Sequence, residues 1–486
     1  MTKTPVADPA PARPDAAASG RGRAPAFALL ATVQFTLILA MSVLNVVMPA
    51  IEGEFGLSRA SLALLGASYA MSFSGLLLLG GRLADLYGAR RTLLQGTAVF
   101  GAASLAAALA PGLWTLLAAR FVQGAGAALA VPAAMALVSV VHPEPDRHAR
   151  AMAFWGGLAA SGGTAGMVIS GIVASWDSWR LAFALPIAVA AVTLATAGRL
   201  LPAGPAPRGG GRLDVWGAVL VTAGIAALSY GLVEAPDQGW TAPAPLVTII
   251  GGLVLLIAFG LVEARVPQPL LPLSFLASPR RAVALVAVFL GSAGITTIFF
   301  MLALYFQQVR GYSALETSAV FVPFGLTLVL VGGLGAGPLI GRFGPRPVLV
   351  GGLAAAAVGL AVLSTLGTDS PYPGRMLAGL LIFPAGAVLV FAGSTVAATT
   401  DVPPGQAGLA GSVVNTALEA GPAVGLAVLV TLAAGRTSRS LTHGTGQLAA
   451  QTAGYGFAFA VAAVAFAVAA VAALLLLRPT RVRHDG

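Results

Sequence analysis

Few side chains in this 486-residue sequence can exchange a proton near neutral pH: 17 Asp and Glu and 4 His. Most of the acids fall in tails, in polar connections or at the ends of apolar runs. One does not. Glu419 sits near the middle of the apolar run 407–434, where an ionised carboxylate is costly and a group that binds and releases a proton is the functional expectation. Asn415, one helical turn earlier, shares its face. Arg120 is the one basic residue inside an apolar run, and a charge in that setting is paired or functional. Other chemistries are excluded by composition. With no cysteine, disulfides, thiol catalysis and thiolate metal sites are out. Lys3 is the only lysine, so no phosphate-binding loop ending in Gly-Lys-Ser/Thr exists. His142, His148, His443 and His484 are dispersed, and we expect neither a catalytic site nor a metal site.

The elements that must position these groups follow from bulk composition. Hydrophobic residues make up 57% of the chain and charged ones 9%, with a mean hydropathy of +0.89. A soluble domain carries about 25% charged residues. Lipid is therefore the solvent for most of the chain, and crossing it takes roughly 20 apolar residues per helix. The runs here are that long and do not alternate, which excludes barrel strands. We expect an all-α integral membrane protein with 14 transmembrane helices near 26–49, 61–81, 92–110, 114–140, 151–174, 181–200, 213–233, 246–264, 282–306, 317–341, 347–366, 376–398, 407–434 and 454–477. With the N-terminus inside, 20 of the 27 Lys and Arg fall in cytoplasmic segments and six outside, while Arg120 lies within a span. That distribution obeys the positive-inside rule and accounts for the net charge of +10 without a nucleic-acid partner.

A repeat organises the spans. Gly81-Arg-Leu-Ala-Asp-Leu-Tyr-Gly-Ala-Arg-Arg91 follows the second, and Gly337-Pro-Leu-Ile-Gly-Arg-Phe-Gly-Pro-Arg-Pro347 follows the tenth. Glycine, leucine, an aromatic, glycine and arginine recur at matching offsets, the trace left by parallel halves around a central site. The expected organisation is a disordered cytoplasmic tail (1–25), an N-terminal six-helix bundle (26–200), a linker with two extra transmembrane helices (201–281), a C-terminal six-helix bundle (282–477) and a short cytoplasmic tail (478–486).

The loop with Gly81, Asp85, Gly88, Arg90 and Arg91 resembles the signature gating loop of the major facilitator superfamily. Arg120-Phe-Val-Gln-Gly-Ala-Gly126 resembles that family's fourth-span motif. Leu44-Asn-Val-Val-Met-Pro49, the stretch from Arg212-Leu-Asp214 to Gly239-Trp240, and Tyr305-Phe-Gln-Gln-Val-Arg-Gly-Tyr312 are similar to pieces of its fourteen-span drug:proton antiporters. The resemblance covers residues 26–477. It implies the major facilitator fold and proton-driven efflux by alternating access of a small organic molecule, an antibiotic or other secondary metabolite. It also implies a bacterial plasma-membrane location with both termini cytoplasmic, no cofactor beyond the proton gradient, and partners limited to the lipid bilayer, protons and substrate, the protein acting as a monomer. Two departures matter. Such exporters carry an aspartate in the first span where this chain has Ala40, and a Gly-Pro in the fifth where it has Gly166-Met167.

The expected roles follow. For proton coupling the residues are Arg120 and Glu419: Glu419, with Arg120 as its charge partner, carries the coupling proton or contacts substrate. Asn45, Gln123, Gln307 and Asn415 bind substrate. Without the first-span acid the substrate is neutral or anionic, β-lactams being one class. The alternatives are an importer of the same fold, which the broken fifth-span motif favours, and a polytopic membrane enzyme, which the scattered acids and histidines disfavour.

Overall fold

Long apolar segments rich in alanine and glycine become long helices, because a chain without water satisfies its backbone only through internal hydrogen bonds. The structure, a computed structural model, describes residues 20–57, 59–144, 147–156, 158, 178–202, 214–239, 242–267, 269–402 and 406–477. The first group of helices is α1 (Gly20–Phe55), α2 (Arg59–Tyr87), α3 (Ala89–Ala108), α4 (Leu113–Val141), α5 (147–156) and α6 (Ala184–Leu200). The hairpin α7 (Val215–Gln238) and α8 (Pro243–Glu263) follows. Next come α9 (Pro279–Leu304), a segmented α10 (Ala314–Val320, Val322–Leu330 and Ala336–Phe343), α11 (Pro345–Leu363), α12 (Leu377–Thr399), α13 (Ala407–Thr442) and α14 (Gln447–Leu476).

Twelve helices among the described residues are long and apolar enough to cross a membrane. α3 has a span's length but opens on Arg90 and Arg91 and is less apolar. Of the fifth expected span, only 151–156 and 158 are described, so Gly166-Met167 lies outside the described residues. Two outlines differ from expectation. α1 begins at Gly20, inside the expected tail, where the Arg23 guanidinium holds Glu144 at 2.6 Å. α10 is not a plain helix, because its Val331-Gly-Gly-Leu-Gly335 widens into a π turn.

Helices α2, α3, α4 and α6 pack together with α1, and α9, α11, α12, α13 and α14 form a second assembly. Glycine allows the closest crossings in both. A Cβ on Gly96 would stand 2.7 Å from the Gly126 carbonyl oxygen across the α3–α4 contact. On Gly352 it would stand 2.9 Å from the Gly386 carbonyl oxygen across α11–α12. Larger residues would push each pair apart. α13 joins the assemblies, packing on α2, α4 and α7 as well as on α9 and α14. The two repeat loops share one face, the motif face, and the other ends form the far face.

Candidate functional site

The first repeat loop meets α13 at its start. A Cβ on Gly81 would lie 2.5 Å from the Gly408 carbonyl oxygen, so only glycine lets α2 cross the α13 terminus this closely. One turn on, Asp85 accepts hydrogen bonds from the backbone N–H of Gly408 (2.9 Å) and of Leu409 (3.0 Å). These donors have no partner within α13, and the helix dipole adds attraction for a carboxylate. Gly88 then turns the chain at φ 97°, and Arg90 donates to the Gly198 carbonyl at the end of α6 (2.9 Å). Arg91 is exposed. The assemblies are thus latched together on the motif face by one carboxylate.

Arg120 lies deep in the first assembly, 1% exposed. Its Nη1 donates to the Ala40 carbonyl (3.0 Å) and to Gln123 Oε1 (2.7 Å). Gln123 passes the network on to Ser104 Oγ (2.7 Å), while the guanidinium stacks over the Tyr69 ring at 4.7 Å. The Tyr69 hydroxyl is itself fixed, donating to the Leu37 carbonyl (3.0 Å). Every one of these partners is neutral. At position 40 a backbone carbonyl stands where the resemblance leads one to expect an aspartate. No ion pair joins Arg120 to Glu419, because these contacts hold the guanidinium within its own assembly.

A central cavity opens between the assemblies, lined by Met135, Trp155, Phe391, Thr395, Asn415 and Leu418 among others. Asn415 is 5% exposed and donates to the Gly411 carbonyl (2.8 Å), which leaves its side-chain oxygen for an incoming group. Glu419 follows one turn on, partly exposed, and makes no hydrogen bond or ion pair with a described residue. It lies within electrostatic range of Tyr69 across the cleft. Pro422 has no N–H to give, so the Leu418 carbonyl at the cavity wall loses its helical donor. The cavity is small in this state; its apolar walls carry one amide and one freed carbonyl, and Glu419 lies next along α13, outside that lining.

The other sequence-derived candidates are not brought together. Gln123 is fully buried and held by Arg120 and Ser104 rather than facing the cavity. Gln307 is exposed on a π turn (Tyr305–Val309) at the far face. Asn45 lies on α1, and its side chain is outside the described residues.

The Major Facilitator Superfamily sequence profile matches residues 30–426. The chain belongs to the Major Facilitator Superfamily. Its members are transporters and not enzymes. Among curated relatives, the puromycin resistance protein pur8 of Streptomyces alboniger is 36% identical over 86% of this chain and 83% of its own length. The cephamycin export protein CmcT of Amycolatopsis lactamdurans is 37% identical over 85% of this chain and 86% of its own. Among solved structures, the human organic anion transporter MFSD10 superposes with a TM-score of 0.65 at 15% identity, covering 93% of this chain and 99% of that one, which shows the fold alone.

For this major facilitator protein, sequence reading missed the α13 terminus at Gly408 and Leu409, the Tyr69 platform, Ser104 and Trp155. Pro403-Pro404 just before α13 was the available signal for a helix start at that point. Charged groups outside the spans are mostly structural. Glu54 is held below the usual carboxylate range by two bonds from Arg180 (2.7 and 2.9 Å), then by the Trp179 indole N–H (2.6 Å), which locks the far face of the first assembly. Glu144 is held low by Arg23. His142 and His148 are held low chiefly by burial. No group of three or more acids and histidines among the described residues is placed to hold a metal.

Proposed function

We propose that this protein exports an antibiotic-like small organic molecule in exchange for protons, by alternating access at the cavity between α4, α5, α9, α12 and α13. What carries the reading is the match of about 85% of the chain to proteins named for antibiotic resistance and export, 36% and 37% identical. We take the protein to have fourteen spans with both termini cytoplasmic; the twelve apolar helices among the described residues support a large part of that number. The bundles take the boundaries 26–200 and 282–477, the hairpin linker lies between them, and a monomer is sufficient.

Glu419 is the proton carrier in this scheme, since it follows the cavity residues Asn415 and Leu418 on α13 and makes no hydrogen bond or ion pair with a described residue. Arg120 is a fixed positive charge that biases its side of the cleft towards neutral or anionic substrates; β-lactam-like acids are one class. Asn415 orients the substrate, whereas Gln123 supports Arg120 and Gln307 plays no part.

Flux into inverted vesicles tests the reading, with anionic, neutral and cationic antibiotics as probes. We expect accumulation that collapses with a protonophore. Glu419→Gln should abolish pH-gradient-driven accumulation while leaving passive exchange down a substrate gradient. A Glu419→Gln protein that still accumulates substrate with full gradient dependence would falsify the assignment, and uptake into intact cells would reverse the direction.

A further inference from the structure

The α7–α8 hairpin is the part of the fold to which the proposed export cycle gives no task. It is not loosely attached. Thr222 on α7 donates to the Gly75 carbonyl on α2 (2.8 Å), and a Cβ on Gly75 would stand 3.1 Å from that of Thr222. Only glycine lets the two helices approach this far, so α7 is keyed into α2. The contact with α13 is of another kind. Ala218 and Val221 meet Leu409, Ala410 and Val413 in an apolar seam without side-chain hydrogen bonds across it among the described residues. A keyed face and a smooth face on one helix are what an element needs if it moves with one neighbour and slides on the other.

Charge at the motif end points the same way. Asp214 caps α7, accepting from the Gly217 N–H through Oδ1 (2.8 Å), and Glu263 ends α8, accepting from the Leu271 N–H through Oε2 (2.9 Å). The second oxygen of each is buried without a partner, in residues only 7% and 3% exposed. Both free oxygens converge on Gly217, lying 2.5 and 2.9 Å from where its Cβ would stand. Arg82, in the gating loop beside Gly81, is within electrostatic range of Glu263, and its Nε is also buried without a partner. Two buried carboxylates repel each other, and removing the nearby cation leaves both uncompensated.

We propose that the α7–α8 hairpin is a positioning element of the gate: it travels with α2, Asp214 and Glu263 serve as the counter-charge of Arg82, and its apolar seam slides on α13. The hairpin then sets where α2 presents Asp85 to the α13 terminus. It touches neither substrate nor proton carrier. The inference rests on the transport reading for its motion and on the structure alone for its charges, so the test has one arm for each.

The chain contains no cysteine, which allows introduced pairs to be bridged without background. Gly75→Cys with Thr222→Cys locks α7 to α2; Ala218→Cys with Leu409→Cys locks it to α13, bridging being confirmed by mass spectrometry. Each bridged protein is compared with the same double-cysteine protein reduced, so that the Cβ added at Gly75 weighs on both states. Bridging the first pair should leave flux within about twofold, and bridging the second should lower it at least about tenfold. A harmful first lock or a harmless second one overturns the motion. The second arm needs no substrate: melting temperatures of purified protein carrying Arg82→Gln, alone and with Asp214→Asn and Glu263→Gln. The Arg82→Gln loss should be at least about twice as large with the carboxylates present as with them neutralised. Equal losses overturn the counter-charge role. Absence of flux in the unlocked parent counts against transport and leaves the melting cycle to decide the charges.

Discussion

The α2–α3 loop and the α10–α11 loop have the same origin in the repeat and end in different structures. Two features are shared. Gly88 (φ 97°) and Gly344 (φ 82°) make the same left-handed turn. Arg90 donates to the Gly198 carbonyl at the end of α6, and Arg346 to the Leu474 carbonyl at the end of α14 (2.9 and 2.7 Å). Two features are not shared. Gly81 is pressed against Gly408, whereas nothing lies within 4 Å of where a Cβ on Gly337 would stand. Asp85 holds the α13 terminus, while Gly341 takes its place in the second loop and faces open space. The repeated features build helix ends, and the unrepeated ones form the latch. What repetition preserves here is architecture, and what it has lost or gained marks the moving joint.

The sharpest way to break this comparison is to exchange the unshared residue. Asp85→Asn keeps the shape, but it replaces one accepting oxygen by an NH2 that cannot accept. Of two charge-assisted bonds, each worth about 1.5–3 kcal/mol, one is lost and the other loses its charge. Flux should fall by roughly 10–100-fold as the motif-face closure loses its anchor. Gly341→Asp adds an acid at the matching position, where no helix terminus awaits it, and should leave flux within about twofold. Comparable losses in the two variants would mean that both loops latch.

The loops also show what could be read from the sequence. Glycine, arginine and aromatic spacing is linear information, so the repeat, the helical class and the charge placement are visible without a structure. The partner of Arg120 is not. Beyond Gln123 of its own motif, the guanidinium is held by the carbonyl of Ala40 and the face of Tyr69, contacts that belong to no motif. Gln123 and Gln307 were equally plausible cavity residues in sequence. α4 is apolar on every side, so only packing decides that Gln123 turns inward to Ser104. Gln307 follows α9 directly, and only the π turn at its end carries the side chain out to the far rim. The break in α10 left a mark as Gly332, Gly333 and Gly335, which composition alone assigns to helix packing.

Next in size are the shared glycines. Gly88→Ala and Gly344→Ala each place a Cβ in the left-handed region, at a cost of about 1–2 kcal/mol. Both should lower the melting temperature by similar amounts. A loss confined to Gly88 would indicate that its turn also serves the latch and would blur the division drawn above.

The arginine caps should matter less. Arg90→Gln and Arg346→Gln each remove a cation from a helix C-terminus at an exposed site, worth about 0.3–1 kcal/mol at low salt. The two losses should match and should shrink as salt is raised. If only Arg90→Gln reduces flux at unchanged melting temperature, that arginine works in the gate rather than as a cap.

The smallest expected effect separates two further loops that otherwise agree. Arg23 near the start of α1 pairs with Glu144 after α4 (2.6 Å), and Arg280 at the start of α9 pairs with Asp401 after α12 (3.1 Å). Among the described residues, only the first of these pairs has histidines beside it. Burial is the largest influence on both His142 and His148, and it lowers each from the ordinary value of 6.5. The unfolded chain therefore binds more protons than the folded one between 6.5 and those lowered values. The contribution to stability is full above pH 6.5 and is lost as pH falls through the folded values. Melting temperature should decline on acidification across that window, and His142→Gln with His148→Gln should flatten the decline. Arg280→Gln should leave the slope unchanged, because no histidine accompanies that pair. A slope that survives removal of both histidines would move the pH response elsewhere and leave the two ion pairs equivalent.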